Sequence, residues 1–311
     1  VLSPASNSNQ TFEIVGSGTP TVTGSPTFLY NSDSNIGSIS RNKSHTYNVM
    51  PGTYNIAETV PAGWKEVENT CKDIVITNNE TKTCTITNTQ YGSLTIIKKA
   101  IPHGSDQFGF TLKEVKDGSS NIIEEFNLID NSGTEDASKT FNLEEGTYAI
   151  AENSYNDWNT VYSCTGNNTI DNIVLNAGDL VICTFTNTKL RTISGYKYYD
   201  KDGSVTTEDD RDSIEGWEIF IDLNRNGMKD DGETRTTDSE GYYEFTNLIP
   251  GTYTVKEIYS INDWFYLETD EIEVTLTAEK DKTDVNFINV QYGSIQVLKN
   301  VDGNGDGDLD D

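Results

Sequence analysis

A short signature, Gly-Thr-Tyr with a Glu six residues after the Gly, occurs three times at intervals of about 100 residues, and this period constrains the fold more than any other feature. It runs from Gly52-Thr53-Tyr54 to Glu58, from Gly146-Thr147-Tyr148 to Glu152, and from Gly251-Thr252-Tyr253 to Glu257. A Trp follows each copy, at Trp64, Trp158 and Trp264. A second signature closes each repeat, at Cys84-Thr85-Ile86-Thr87-Asn88-Thr89, Cys183-Thr184-Phe185-Thr186-Asn187-Thr188 and Val285-Asn286-Phe287-Ile288-Asn289-Val290. After each closing comes another alternating run, and in each a Lys lies ten residues beyond the closing Asn: Lys98, Lys197 and Lys299.

Short β-rich runs of period two, separated by Gly, Asn and Asp turns, predict antiparallel sandwiches throughout and no helix. The expected fold class is all-β: three tandem Ig-like β-sandwich domains at residues 1–89, 90–189 and 190–290. Residues 291–311 remain as a spare C-terminal strand and an acidic tail. Repeats two and three open with a Lys-bearing strand, whereas repeat one begins at Val1, where that strand should already have ended. One strand is therefore expected to be missing in front and one spare behind. An open sandwich exposes an edge and a slice of core. A neighbour's spare strand would fill that gap and give a head-to-tail, non-closing assembly; the other reading is a segment cut from a longer array of the same repeats.

Fifty acidic against 22 basic residues leave a formal charge of -28, which excludes nucleic acid and anionic lipid surfaces as partners and favours cations. No apolar run reaches the roughly 18 residues of a membrane helix, so the protein is soluble or its signal and anchor lie outside this stretch. The four cysteines form two local pairs, Cys71 with Cys84 and Cys164 with Cys183, a distribution expected of disulfides in small exported domains. Neither His45 nor His103 lies near them in the sequence, which weakens a metal reading. Sequons at Asn9, Asn42, Asn79 and Asn167 agree with export.

Alternate residues of a strand share a face. Leu94, Ile96 and Lys98 thus lie together, as do Ile295, Val297 and Lys299; Tyr54, Ile56 and Glu58; Tyr148, Ile150 and Glu152; Ile86 and Asn88; Phe185 and Asn187. Lys, Glu and Asn all land on apolar faces, where a lone charge needs a partner. This layout resembles the collagen-adhesin B-type domains of bacterial surface proteins, with a Lys on the first strand, a Glu on a middle strand and an Asn on the last. The resemblance implies a prealbumin-like sandwich in which the Lys amine condenses with the Asn amide to form an isopeptide bond. A Lys with a pKa lowered by burial would attack, and a protonated Glu would polarise the amide and relay protons.

Carried over residue by residue, the resemblance implies Lys98, Glu152 and Asn187 in the second domain and Lys197, Glu257 and Asn289 in the third. The first domain keeps Glu58 and Asn88 without a Lys at the matching place; Lys299 lent by a neighbour would supply it and join subunits covalently. The alternative at every site is a buried ion pair or hydrogen-bonded cluster without condensation.

The third repeat also resembles the calcium-binding B repeats of serine-aspartate-rich surface proteins, through GWEIFIDLNRNGMKDDGE and DSEGYYEFTNLIPGTYTVKE. Within the first stretch, Asp222-x-Asn224-x-Asn226-Gly227-x-x-Asp230-x-x-Glu233 matches a twelve-residue calcium loop at its first, third, fifth, sixth, ninth and twelfth places. Met228 would offer its carbonyl and Glu233 would close bidentately, so Ca2+ is the expected cofactor. An ordinary Asn-Gly hairpin turn is the alternative. Upstream, Asp200, Asp202, Ser204, Glu208, Asp209, Asp210 and Asp212 form a looser acidic cluster, either further ligands or a solvated loop. The tail Asp302-x-Asn304-x-Asp306-Gly307-x-x-Asp310 begins a second such loop, or is a flexible acidic terminus.

No Ser-His-Asp set, Gly-rich phosphate loop or zinc spacing is present, so no turnover chemistry is expected beyond one bond per domain. The expectation is an extracellular structural protein of a surface stalk or head-to-tail fibre, stiffened by calcium, disulfides and isopeptide bonds. Its partners would be copies of itself or adjacent repeats of a longer chain. The alternatives are an adhesin whose repeats present a ligand-binding region, and a spacer of a larger secreted protein.

Overall fold

The structure, a computed structural model, describes residues 2–3, 11–20, 37–40, 44–131, 137–204, 206, 210–258 and 264–299. These residues are all-β, in paired sheets with no helix, and none of them forms a helix long and apolar enough to cross a membrane. The tail residues Asp302, Asn304, Asp306 and Asp310 lie outside the described residues, as do Glu208 and Asp209.

The first repeat contributes β1 (Leu2–Ser3), β2 (Thr11–Pro20), β3 (Gly37–Ser40), β4 (Gly52–Thr59), β5 (Trp64–Asn69), β6 (Ile74–Ile76) and β7 (Ile86–Gln90). They form sheets ordered β3-β2-β4-β6 and β1-β7-β5. The second contributes β8 (Gly92–Ile101), β9 (Gln107–Lys116), β10 (Ser119–Ile129), β11 (Ala137–Leu143), β12 (Gly146–Glu152), β13 (Trp158–Cys164), β14 (Ile173–Leu175) and β15 (Leu180–Lys189). Its sheets are β10-β9-β12-β14 and β11-β8-β15-β13. The third contributes β16 (Arg191–Asp200), β17 (Arg211–Ser213), β18 (Glu218–Asp222), β19 (Thr234–Thr236), β20 (Tyr242–Leu248), β21 (Gly251–Glu257), β22 (Trp264–Tyr266), β23 (Glu271–Leu276) and β24 (Phe287–Gln291). Its sheets are β19-β18-β21-β23 and β17-β16-β24-β22, with β20 also on β16. Val1–Tyr155 with Thr160–Asn187 make one compact unit, and Asn156–Asn159 with Thr188–Asp311 another.

The Gly-Thr-Tyr signature has a local physical role. Each Tyr hydroxyl donates to the carbonyl four residues earlier: Tyr54 to Met50 at 2.6 Å, Tyr148 to Glu144 at 2.8 Å and Tyr253 to Ile249 at 2.5 Å. The ring is thereby fixed at the turn entering its strand, in the manner of the tyrosine corner of immunoglobulin sandwiches. Alternate burial follows the pleat, as in β8, where Gly92, Leu94, Ile96, Lys98 and Ala100 are buried between half-exposed neighbours. Burying side chains such as Leu94 and Ile96 stabilises by about 1.5–3 kcal/mol each. Trp64 and Trp158 are buried, and Trp264 packs part-buried against the third core.

Gly195 of β16 is required by close approach, because a Cβ there would lie 1.8 Å from the Val285 carbonyl oxygen. Both disulfides form, and each pins adjacent strands. Cys71–Cys84 closes β5 against β7 with Cα atoms 5.1 Å apart, and Cys164–Cys183 joins β13 to β15 at 4.0 Å.

The first domain differs from the sequence expectation at its front edge. Two residues of the absent strand are present: Leu2 and Ser3 run parallel to β7, opposite Asn88 and Thr89. The third domain places β16 beside β24 in the same parallel sense, with Lys197 opposite Phe287 and Tyr199 opposite Asn289. Residues 44–50, which precede Tyr54 as β11 precedes Tyr148, form no strand, whereas β11 is laddered on β8. The expected spare strand at 292–299 is likewise outside any sheet and exposed.

Candidate functional site

In the second domain β8, β12 and β15 bring Lys98, Glu152 and Asn187 together in the core. The Lys98 ammonium is 3.7 Å from Glu152 Oε1, with the two side chains only 0% and 4% exposed. Asn187, fully buried, donates from Nδ2 to Glu152 Oε1 at 3.1 Å, and Lys98 Nζ donates to the Lys99 carbonyl at 2.6 Å. The ammonium sits 3.9 Å from the centre of the Phe108 ring.

Desolvation dominates the electrostatics. It lowers the Lys98 pKa to about 8 against the opposing pull of Glu152 and Asp130. It raises Glu152, again against Lys98 and Asn187. Glu152 Oε2 and Asn187 Oδ1 are both buried without a hydrogen-bond partner. A protonated carboxyl donates a hydrogen bond where the ionised form only accepts.

The third domain repeats the arrangement from β16, β21 and β24. Lys197 Nζ is 2.9 Å from Glu257 Oε2, and neither side chain reaches solvent. Burial lowers Lys197 to about 8 and raises Glu257, with Lys197 and Asn289 opposing the rise. Asn289 is fully buried close to Glu257, and its amide makes no well-formed hydrogen bond. The ammonium stands 4.9 Å from the Trp217 ring.

The first domain holds the same acid and amide. Glu58 is raised by burial, with a hydrogen bond from Asn88 opposing. Glu58 Oε1 and Asn88 Oδ1 are buried without partners. Lys299 is exposed.

The sequence reading overlooked two features of these sites. The rings of Phe108 and Trp217 carry no motif, although each lies two residues ahead of the residue opposite the Glu. Asp130 is buried beside the second site, accepting from the Ala100 N–H at 2.7 Å and contacting His103 Nδ1 at 2.9 Å. It lies outside the repeated signatures, so periodicity gives it no signal.

The loop at 222–233 is wound by its own side chains. Asp222 accepts from the Asn226 and Gly227 N–H groups at 3.1 and 2.9 Å, Asn224 from the Asn226 N–H at 3.0 Å, and Asn226 from the Met228 N–H at 2.7 Å. Arg225 and Gly227 take positive φ, 61° and 74°. Glu233, 3% exposed, accepts from the Leu223 and Asp230 N–H groups, both at 2.9 Å. The donor set is all oxygen, as a hard cation requires. The amides of Asn224 and Asn226 donate to Asp230 at 2.6 and 2.8 Å, so two candidate ligands spend their nitrogens on a third.

Among the described residues the carboxylates that converge within 4.8 Å are those of Asp200, Asp202 and Asp210, not those of the loop. Asp200 is fully buried, and the N–H groups of Gly203 and Ser204 together with Arg211 hold its carboxyl below the usual range although burial works against them.

Family models described as prealbumin-like fold domains of the SpaA type match residues 16–96 and 192–291. No sequence among the curated proteins matches the chain. Among solved structures, BcpA, the major pilin subunit of Bacillus cereus, is similar at 12% identity with TM-score 0.42, over 90% of this chain and 95% of that one. GBS52, the minor pilin of Streptococcus agalactiae, is similar at 15% identity with TM-score 0.30, over 67% and 99%. The shaft pilin spaA of Lactobacillus rhamnosus GG is similar at 11% identity with TM-score 0.27, over 66% and 100%.

Proposed function

Because the chain belongs to the SpaA-type prealbumin-like fold domain family, we propose that it is an extracellular structural subunit of a surface stalk or head-to-tail fibre, with its second and third domains locked by Lys–Asn isopeptide bonds. The observation that carries this reading is the pair of buried Lys–Glu–Asn sets, Lys98–Glu152–Asn187 and Lys197–Glu257–Asn289. In each set the Lys and Asn lie on neighbouring strands of one sheet, β8 with β15 and β16 with β24, and the Glu reaches them from the facing sheet. Condensation would replace two costly buried charges with a neutral amide. Such a bond resists pulling, which is what a load-bearing surface thread needs, and it turns nothing over.

In each set the neutral Lys amine attacks the Asn Cγ, the Glu gives a proton to the departing Nδ2 and takes one from the lysine nitrogen, and the Cγ–Nδ2 bond breaks to release ammonia. The disulfides Cys71–Cys84 and Cys164–Cys183 restrain the first two domains. In the third, Ca2+ held by Asp222, Asn224, Asn226, Asp230, Glu233 and the Met228 carbonyl would take their place. Asp200, Asp202 and Asp210 would hold a further ion. The partners of the subunit are copies of itself, and the joining element is the strand-like segment that follows β24.

Intact mass of the purified chain tests the reading. Loss of one ammonia in each of the second and third domains, with peptides linking Lys98 to Asn187 and Lys197 to Asn289, is the expected result. A mass equal to that of the unmodified oxidised chain would sink it.

A further inference from the structure

The Lys99–Ala100 peptide group of β8 is gripped from both sides. Its carbonyl accepts from Lys98 Nζ at 2.6 Å, and its N–H donates to Asp130 Oδ2 at 2.7 Å. The turn that follows β8 closes over the same carboxylate. His103 Nδ1 lies 2.9 Å from Asp130 Oδ2, and the Gly104 N–H donates to the Asp130 main-chain carbonyl at 2.9 Å. A hydrogen-bonded chain thus runs from the buried lysine through one peptide group and one carboxylate to an imidazole. Along it exposure rises from 0% for the Asp130 side chain to 46% for that of His103.

A buried carboxylate is costly without a cation to answer it. Asp130 Oδ1 is buried with no hydrogen-bond partner. Burial lowers Lys98, and the carboxylates that pull it back are Glu152 first and Asp130 second. The other groups set around the ammonium are uncharged: the Phe108 ring from β9, Asn187 beside Glu152 from β15, and Ala137 opposite it on β11. The third domain lacks this grip. Lys197 Nζ makes no well-formed hydrogen bond, and the carboxylate acting on it is that of Glu257.

We propose that Asp130 is a positioning residue for bond formation in the second domain: by drawing on the Ala100 N–H it strengthens the Lys99 carbonyl as an acceptor, and that carbonyl holds Lys98 Nζ beside Glu152 and Asn187. This rests on the reading of Lys98–Glu152–Asn187 as bond-forming. The negative charge of Asp130 also favours the ammonium over the amine, so closure waits for a higher pH than the same pocket would need without it. Asp130 exchanges no proton in the reaction. The ammonium first gives one proton to solvent; then Cγ–Nζ forms and Cγ–Nδ2 of Asn187 breaks. Glu152 gives a proton to the departing nitrogen and takes one from the lysine nitrogen, and ammonia leaves.

The test refolds the full chain, recovered unfolded, at a series of pH values. Peptides joining Lys98 to Asn187 and Lys197 to Asn289 are followed over time by mass, so the third domain serves as a control within each molecule. Asp130→Asn keeps an oxygen for the Ala100 N–H and removes the charge. The rising limb of the second-domain profile should move to lower pH by about one unit, while the third-domain profile stays in place. Asp130→Ala removes the acceptor as well, and closure at the top of the second-domain profile should slow about five- to tenfold. Loss of stability alone would lower a profile without displacing it along the pH axis. An Asp130→Asn limb at the parent's pH, whatever its height, therefore overturns the role of Asp130 and leaves the bond standing. Displacement of both domains together overturns it as well, because Asp130 belongs to the second domain. A parent chain that loses no ammonia at any pH overturns the bond-forming reading itself, and this one with it.

Discussion

Lys197 and Glu257 meet at 2.9 Å from opposite sheets of one sandwich, Lys197 on β16 and Glu257 on β21, with neither side chain exposed. Left as separated charges, such a pair is a poor source of stability, because each ion loses its water. The neighbouring Asn289 supplies a covalent alternative. The same geometry recurs at Lys98, Glu152 and Asn187, so the consequences can be checked in two independent places.

Asn187→Ala removes the proposed cross-link while keeping the Lys98–Glu152 pair. The residues joined are about 90 apart, and a link closing so long a loop contributes on the order of 4–5 kcal/mol by the chain-entropy model. A domain of this size shifts by about 4–8 °C per kcal/mol. Calorimetry should therefore show the second domain melting roughly 20 °C or more lower; an unchanged melting temperature contradicts a bond at this site.

Bond formation should depend on pH with a maximum. Lys98 and Lys197 are lowered to about 8, so the neutral, nucleophilic fraction grows as pH rises through that value. Glu152 and Glu257 are raised by burial and must keep a proton to act, so the rate falls once they lose it. Chain recovered unfolded and then refolded at a series of pH values, with ammonia loss followed by mass, gives the profile. Glu152→Gln should abolish it in the second domain alone.

In the uncondensed Asn187→Ala protein the same shift sets a stability slope. Folded Lys98 releases its proton near 8 and the unfolded lysine near 10.5, so the unfolded chain binds more protons between these values and stability rises with pH across that window. The raised Glu152 works oppositely at lower pH, adding stability that is lost as pH rises through its folded pKa. Denaturant titrations at several pH values read the sign directly.

Period two and the three-fold repeat made the sandwiches and the Lys, Glu and Asn faces readable, because a residue's face depends only on its parity along the strand. What stayed hidden depends on contacts between segments. Phe108 and Trp217 acquire their role only when the Glu-bearing strand is set beside theirs. Asp130 reaches the second site from the end of β10, with no counterpart in the other repeats to betray it. The idle stretch at 44–50 has the composition of a strand, with Tyr47 and Val49 alternating, yet a ladder needs a partner as well as a pattern. Loop spacing likewise names the ligands at 222–233 without saying that Asn224 and Asn226 turn their amides on Asp230.

Calcium should raise the melting temperature of the third domain, by about 2.7 kcal/mol of stability at a hundredfold excess over Kd. Glu233 is a poor probe, since it also closes the loop through Leu223 and Asp230. Asn226→Ala and Asp202→Asn separate the two candidate sites: each should remove one class of binding in a calcium titration of the full chain. Identical titration curves for both variants and the parent would dismiss the metal role of these residues.

Gly195→Ala tests the packing on which the third site depends. The added methyl would sit 1.8 Å from the Val285 carbonyl, in backbone that cannot yield as a side chain tip would. Relief requires parting β16 from the segment entering β24, and these two strands carry Lys197 and Asn289. Overpacking of this kind costs typically 1–3 kcal/mol and more where backbone must move. The variant should therefore lose the isopeptide mass signature in the third domain while the second retains it, with limited proteolysis opening the chain after Lys189. Retention of both ammonia losses with an unchanged melting profile would mean that the two strands can separate without disturbing the Lys197–Glu257–Asn289 geometry, against the tight register described above.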